Sequence, residues 1–172
     1  NLDEGRIHFS ADLATGIASS EIVFIAVGTP SGADGEADLS SIIQVAEQLA
    51  QYINFYRLIV IKSTVPVGTV ELIRGILGET KQEGRDFDIV ANPEFLREGN
   101  GIYDFFYPDR IVIGTSSQKA RILMRRLYDS LIQDSSLEPQ TETRHRGTQS
   151  VPLVETDVAS AQMIKYASNA FL

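Results

Sequence analysis

Leu58-Ile59-Val60-Ile61-Lys62-Ser63-Thr64-Val65-Pro66 decides the fold. The aliphatic run is too short for a helix and apolar on both faces, as in a strand of a parallel sheet covered on both sides. It breaks at once into Lys62, Ser63 and Thr64, where Pro66 stiffens the chain before Val70, Ile73 and Leu77 recur at helical spacing. The order is strand, polar turn, helix.

Outward from this unit the same alternation repeats. Ile22 to Val27, Phe87 to Val90 and Arg110 to Ile113 read as further strands. Ile42, Ala46 and Leu49 recur at helical spacing after Asp38, a good N-cap. A helix over Gln118 to Ile132 carries Ala120, Leu123, Leu127 and Leu131 on one side, with Arg121, Arg125 and Arg126 elsewhere. Asp157 to Phe171 reads as another helix. From Gln133 to Thr156 the chain turns polar, and Glu138 to Gly147 shows no period, so this stretch reads as a loop or linker. The pattern predicts an α/β fold: a partial, Rossmann-like, doubly wound and mainly parallel sheet over residues 1–150, followed from 151 to 172 by the start of a central helical region.

A length of 172 residues with 43% hydrophobic content suits one domain with a sizeable core, or one domain and the start of another. The net charge of −8 argues against a partner that presents phosphates in quantity, whether nucleic acid or an anionic membrane surface. No run approaches the roughly 18 apolar residues of a membrane span, and the first residues lack a basic signal region. Zero cysteines exclude disulfides, thiolate metal sites and cysteine nucleophiles within these residues. His8 and His145 have no ligand partners at metal spacing, and Asp34 to Asp38 is too short for a calcium loop, so no metal is expected.

Ligands of an open parallel sheet bind outside the carboxyl ends of its strands. Three such ends are distinctive. Gly28-Thr29-Pro30 follows the first strand; Gly28 permits a close approach of backbone to ligand, but alone the stretch reads more readily as a plain turn. Ser63 and Thr64 precede a helix, where hydroxyls cap it or hold an anion or ordered water. Asn92-Pro93-Glu94-Phe95-Leu96-Arg97-Glu98-Gly99 follows the third strand. It could present Glu94 and Glu98 to one crevice, where a partly dry carboxylate has its pKa raised and serves as general base; otherwise both are solvated. Lys165 and Asn169, four apart, share a helix face, which by itself reads as an exposed pair. Arg97, Arg110, Arg144 and Arg146 read as surface charges, any one of which could meet a phosphate.

With Ser63 to Gly68 and Ile164-Lys165-Tyr166-Ala167-Ser168-Asn169-Ala170-Phe171-Leu172, the Asn92 to Gly99 stretch resembles the UDP-glucose/GDP-mannose dehydrogenase family. Pro108 to Gly114 looks more like its UDP-glucose branch. The resemblance implies an NAD-dependent, cytoplasmic and homo-oligomeric oxidoreductase that converts UDP-glucose to UDP-glucuronate, a polysaccharide precursor, through a cysteine thioester. It makes residues 1–150 part of an NAD-binding domain and 151–172 the start of the helix leading to a substrate and dimerisation domain. It assigns Thr64 to positioning a water, Glu94 to general-base hydrolysis of the thioester, and Lys165 and Asn169 to oxyanion stabilisation. Thr29, Ser63 and Glu98 become NAD contacts; Glu94, Phe95, Leu96, Lys165 and Asn169 line the sugar-nucleotide pocket. The family's Gly-rich fingerprint and its cysteine do not occur in the sequence, and the family crosses the 133–156 region in fewer residues. The chain therefore looks like an internal piece, inactive alone. A GDP-mannose enzyme and a non-catalytic interaction module are the competing expectations.

Overall fold

The computed structural model describes residues 3–32, 35–133 and 151–171. One sheet holds β1 (Ile22–Ile25), β2 (Arg57–Ile61), β3 (Phe87–Ala91), β4 (Ile111–Gly114) and β5 (Leu153–Thr156), side by side in chain order. The helices are α1 (Leu13–Ser19), α2 (Ser40–Tyr52), α3 (Thr69–Gly78), α4 (Gly101–Phe106), α5 (Gln118–Gln133) and α6 (Val158–Ala170). β1, β2 and β3 run parallel, as do β4 and β5. The β3 and β4 strands are antiparallel and meet at the single pair Ala91 and Gly114.

Alternation along the strands builds two cores. Ile59, Ile61, Ile89 and Ala91 face Ile42, Ala46 and Leu49 of α2, Val70, Ile73 and Leu77 of α3, and Val158 and Ala161 of α6. Leu58, Val60, Val90, Ile111 and Ile113 face the other way onto Ala120, Leu123, Met124 and Tyr128 of α5. Every residue of β2 is buried, as its continuous hydrophobicity requires. Where the β3–β4 ladder is short, side chains replace it. The Asn92 amide donates to the Val112 carbonyl at 2.8 Å and the Thr115 hydroxyl to the Ile89 carbonyl at 2.9 Å. A buried carbonyl left unpaired would cost about 1–3 kcal/mol.

The structure corrects three readings. β5 occupies the end of the stretch expected to be a loop; it carries no hydrophobic alternation because it is held by backbone, with the Ile111 amide donating to the Pro152 carbonyl and Thr115 to Thr156. The sheet therefore continues past residue 150. Residues 134–150, with most of the polar stretch and His145, lie outside the described residues. On α5 the buried row is Ala120, Met124 and Tyr128 with Leu123, whereas Leu127 is 42% exposed. The i, i+4 row turned to the sheet includes a tyrosine because its hydroxyl finds a buried acceptor, Asn92 Oδ1, at 2.5 Å. Asp38 is not the N-cap of α2, which is Leu39, but its carboxylate still accepts from the Ser40 amide at 2.9 Å.

Two short helices, α1 and α4, were not legible. α1 is capped by Asp12, whose carboxylate accepts from the Thr15 amide, and is fastened at its far end by buried Arg57, which donates to the Ile17 and Ala18 carbonyls at 2.6 Å each. Among the described residues β1 pairs with β2 alone, and Phe24 on it is 41% exposed. No described helix is long and apolar enough to cross a membrane.

Candidate active site

Because β1, β2 and β3 are parallel, the turns that follow them converge at one end of the sheet. The amides of Lys62 and Ser63 donate to the Ile25 carbonyl, and that of Asn92 to Ile61, carrying the ladder one step past each strand. Two hydroxyls then stitch neighbouring turns together. Ser63 Oγ donates to the Val27 carbonyl at 2.6 Å, and Thr29 Oγ1 to the Thr64 carbonyl at 2.8 Å. Thr29, Ser63 and Thr64 thus form one rigid rim. Above it the space at Gly28 is open, since a Cβ built there would touch nothing within 4 Å.

Beside this rim lies a cavity of about 430 Å³, lined by Lys62, Glu94, Phe95, Leu96, Lys165 and Asn169 among others. α6 delivers the last two. It lies against β4 because Gly114 has no side chain: a Cβ there would stand 2.5 Å from Ala161 Cβ and 2.6 Å from the Asp157 carbonyl. Asp157 caps the helix by accepting from the Ser160 amide. Gln162 ties it to the β2 turn by donating to the Pro66 carbonyl at 3.1 Å. Lys165 and Asn169 therefore face the cavity as i, i+4 neighbours.

Lys165 Nζ donates to Glu94 Oε1 at 2.9 Å; the lysine side chain is 8% exposed and the glutamate 27%. The other oxygen, Oε2, accepts from the Leu96 amide at 2.6 Å. Burial pushes the Glu94 carboxyl up, but the Lys165 and Leu96 hydrogen bonds and the charges of Lys165 and Lys62 outweigh it and hold the acid below its usual value. This overturns the expectation of a raised carboxylate: the crevice is partly dry, but it is also cationic. Lys62 responds in the opposite sense. Burial pulls its ammonium down to about 8; Glu94 opposes the shift and Lys165 adds to it.

The structure brings Glu94, Phe95, Leu96, Lys165 and Asn169 to one cavity. Thr64 does not line it, but shares with Lys165, Pro93 and Gln162 a small adjoining void of about 10 Å³, roughly one water. Glu98 is exposed on its loop, outside the cavity lining. Arg97 is paired with Asp104 at 2.6 Å. Arg110, read as a surface charge, instead lies 4.3 Å from the centre of the Phe95 ring and donates to Ser168 Oγ, bracing the cavity wall. Lys62, Asn92 and Tyr128 were given no role from sequence. The signal for Lys62 was its place directly after a fully apolar strand, where ligands bind; Asn92 and Tyr128 are 36 apart, and no local pattern links them.

Residues 1–132 match the UDP-glucose/GDP-mannose dehydrogenase family, NAD binding domain. A UDP-glucose 6-dehydrogenase of Bacillus subtilis is 41% identical over 172 residues, which is all of this chain and 35% of that protein. A UDP-glucose dehydrogenase structure from Pyrobaculum islandicum superposes with a TM-score of 0.82 at 35% identity, covering 99% of this chain and 36% of that one. A GDP-mannose dehydrogenase structure from Pseudomonas aeruginosa gives 0.81 at 30% identity, covering 98% and 36%. The chain thus spans about a third of the length of these relatives, and it belongs to the UDP-glucose/GDP-mannose dehydrogenase family.

Proposed function

We propose that this chain supplies the sugar-facing part of an NAD-dependent UDP-glucose 6-dehydrogenase. The observation that carries the reading is the Lys165–Glu94 pair, mostly withdrawn from water at the wall of a cavity beside the carboxyl ends of parallel strands. In a low-dielectric site such a cation stabilises negative charge growing on a substrate oxygen, and Asn169 offers a second donor from the same helix face. Glu94 is held ionised by Lys165; when Lys165 turns to a substrate oxygen, that restraint is released and the carboxylate becomes a stronger base toward a water or hydroxyl. Thr64, at the water-sized void, is placed to hold such a water. Phe95 and Leu96 supply the apolar wall.

The space at Gly28 is open, and Thr29 and Ser63 hold the turns on either side of it, so the backbone there is accessible to NAD. When bound, NAD supplies the acceptor for hydride. Thr29 and Ser63 would hold it, with Glu98 approaching from the loop. The thioester nucleophile of the family reaction is not among these residues, which include no cysteine. Turnover therefore belongs to a whole of which this chain is one part. On its likeness to the family, we read that whole as a cytoplasmic homo-oligomer.

UDP-glucose is preferred over GDP-mannose because the Bacillus and Pyrobaculum relatives are the more similar ones. Calorimetric competition tests this: UDP-glucose should bind the chain and GDP-mannose should compete poorly. Tighter binding of GDP-mannose would reverse the assignment, and binding of neither would reduce the chain to an interaction module.

A further inference from the structure

Four cations line the cavity, and three are already engaged: Lys165 with Glu94, Arg97 with Asp104, and Arg110 with Ser168 and the face of Phe95. The fourth is Lys62. Its backbone is fixed at the end of β2 by the bond to Ile25, and its side chain makes no hydrogen bond or ion pair with any described residue. A withdrawn ammonium without a partner is costly, and such groups are normally satisfied by protein, water or ligand. Nothing in the packing requires a lysine here, since its neighbours Ile61 and Val65 are core residues and the adjoining strand positions are apolar.

We propose that Lys62 is a ligand-contacting residue, the donor that grips the bound nucleotide sugar from the β2 side of the cavity that Asn169 also lines. The inference rests on the nucleotide-sugar reading above. It gives the site two lysines with different duties. Lys165 is pre-set on Glu94 and acts where charge develops; Lys62 is uncommitted and becomes satisfied on binding. The division carries a pH signature. Lys62 faces Glu94 from the loop after β3 and Lys165 from α6, with Arg110, Asp109 and Tyr128 also lining the cavity. Tyr128, pushed up to about 12 by burial, stays protonated through the working range. Lys62, pulled down to about 8 by burial, does not. Below that value it is a cation and donor; above it, the charge is lost and the grip weakens.

The test is a titration of the chain with UDP-glucose, followed by backbone amide NMR so that millimolar affinities are measurable and each variant is seen to be folded. Lys62→Met should weaken binding about tenfold or more, the worth of a hydrogen bond to a charged group, while Lys62→Arg should stay within about threefold at pH 6.5. Between pH 6.5 and 8.5 the wild type should lose about fourfold in affinity, following the charged fraction of a group near 8; Lys62→Arg should be flat. Should Lys62→Met lose its native spectrum, Lys62→Gln takes its place. Equal affinities for wild type and Met variant, or an equal pH dependence in wild type and Arg variant, would overturn the role of Lys62 and leave the site intact. No shift on adding UDP-glucose to the wild type would overturn the nucleotide-sugar reading itself, and this contact with it.

Discussion

Replacing Glu94 by Gln should destabilise the chain more than replacing its partner Lys165 by Met, and the two changes together should cost less than their sum. At 2.9 Å and an effective dielectric of about 20, the pair attracts by about 6 kcal/mol. Withdrawing a lysine that is only 8% exposed offsets most of that, leaving a coupling of about 2 kcal/mol. Glu94→Gln leaves two cations, Lys165 and Lys62, facing one another with no carboxylate between them, a loss of about 2–3 kcal/mol. Lys165→Met leaves a carboxylate that is 27% exposed and keeps the Leu96 amide, so about 1 kcal/mol is expected. Urea unfolding of the four proteins at pH 7 measures the cycle. The sign with pH follows from the depressed Glu94 acid: its contribution is complete above the unfolded value of about 4.5 and is lost as pH falls through the lower folded value. The extra loss of wild type over Glu94→Gln should therefore appear only on the acid side of 4.5. A coupling within about 0.3–0.5 kcal/mol of zero would show that the pair does not form in solution.

Three further outcomes follow from the same geometry. Gly114→Ala should cost at least the roughly 1–3 kcal/mol of an overpacked core, because the new methyl meets the Asp157 carbonyl at 2.6 Å and only a shift of α6 relieves it; an unchanged melting temperature would mean α6 is not seated on β4. The chain with UDP-glucose and NAD⁺ should form no NADH above a heat-treated blank, since the sequence holds neither the Gly-rich turn that seats the pyrophosphate for the first hydride transfer nor a cysteine to hold the thioester of the second, and steady turnover would refute the division of labour proposed here. Light scattering across a concentration series should show association, because among the described residues β1 has one paired edge only and an exposed Phe24; a clean 18.9 kDa monomer at high concentration would show that the edge is protected.

What the sequence disclosed and what it hid divide along a physical line. β2 and α3 were legible because both are decided by local pattern: four aliphatic residues in a row, then Val70, Ile73 and Leu77 at the spacing of a helix face. The sharing of one cavity by Glu94, Lys165 and Asn169 came from likeness to a family, since nothing local connects residues 71 apart. β5 was missed because an edge strand held by backbone needs no apolar alternation. The face of α5 was misjudged because Tyr128 was bought inward by a hydrogen bond to Asn92 that no local count reveals. The Glu94 acid went the opposite way to expectation for a related reason: partial dryness was foreseen, but the direct bond from Lys165 and the charge of Lys62 after β2 were not.

The most direct test of the account is a crystal structure of the chain grown or soaked with UDP-glucose. The account predicts the glucose in the cavity of about 430 Å³, its reacting hydroxyl within hydrogen-bond distance of Lys165 and Asn169 and close to Glu94, with the ring against Phe95 and Leu96. A nucleotide sugar bound elsewhere on the chain while Lys165 stays on Glu94 and the cavity holds only water would contradict it.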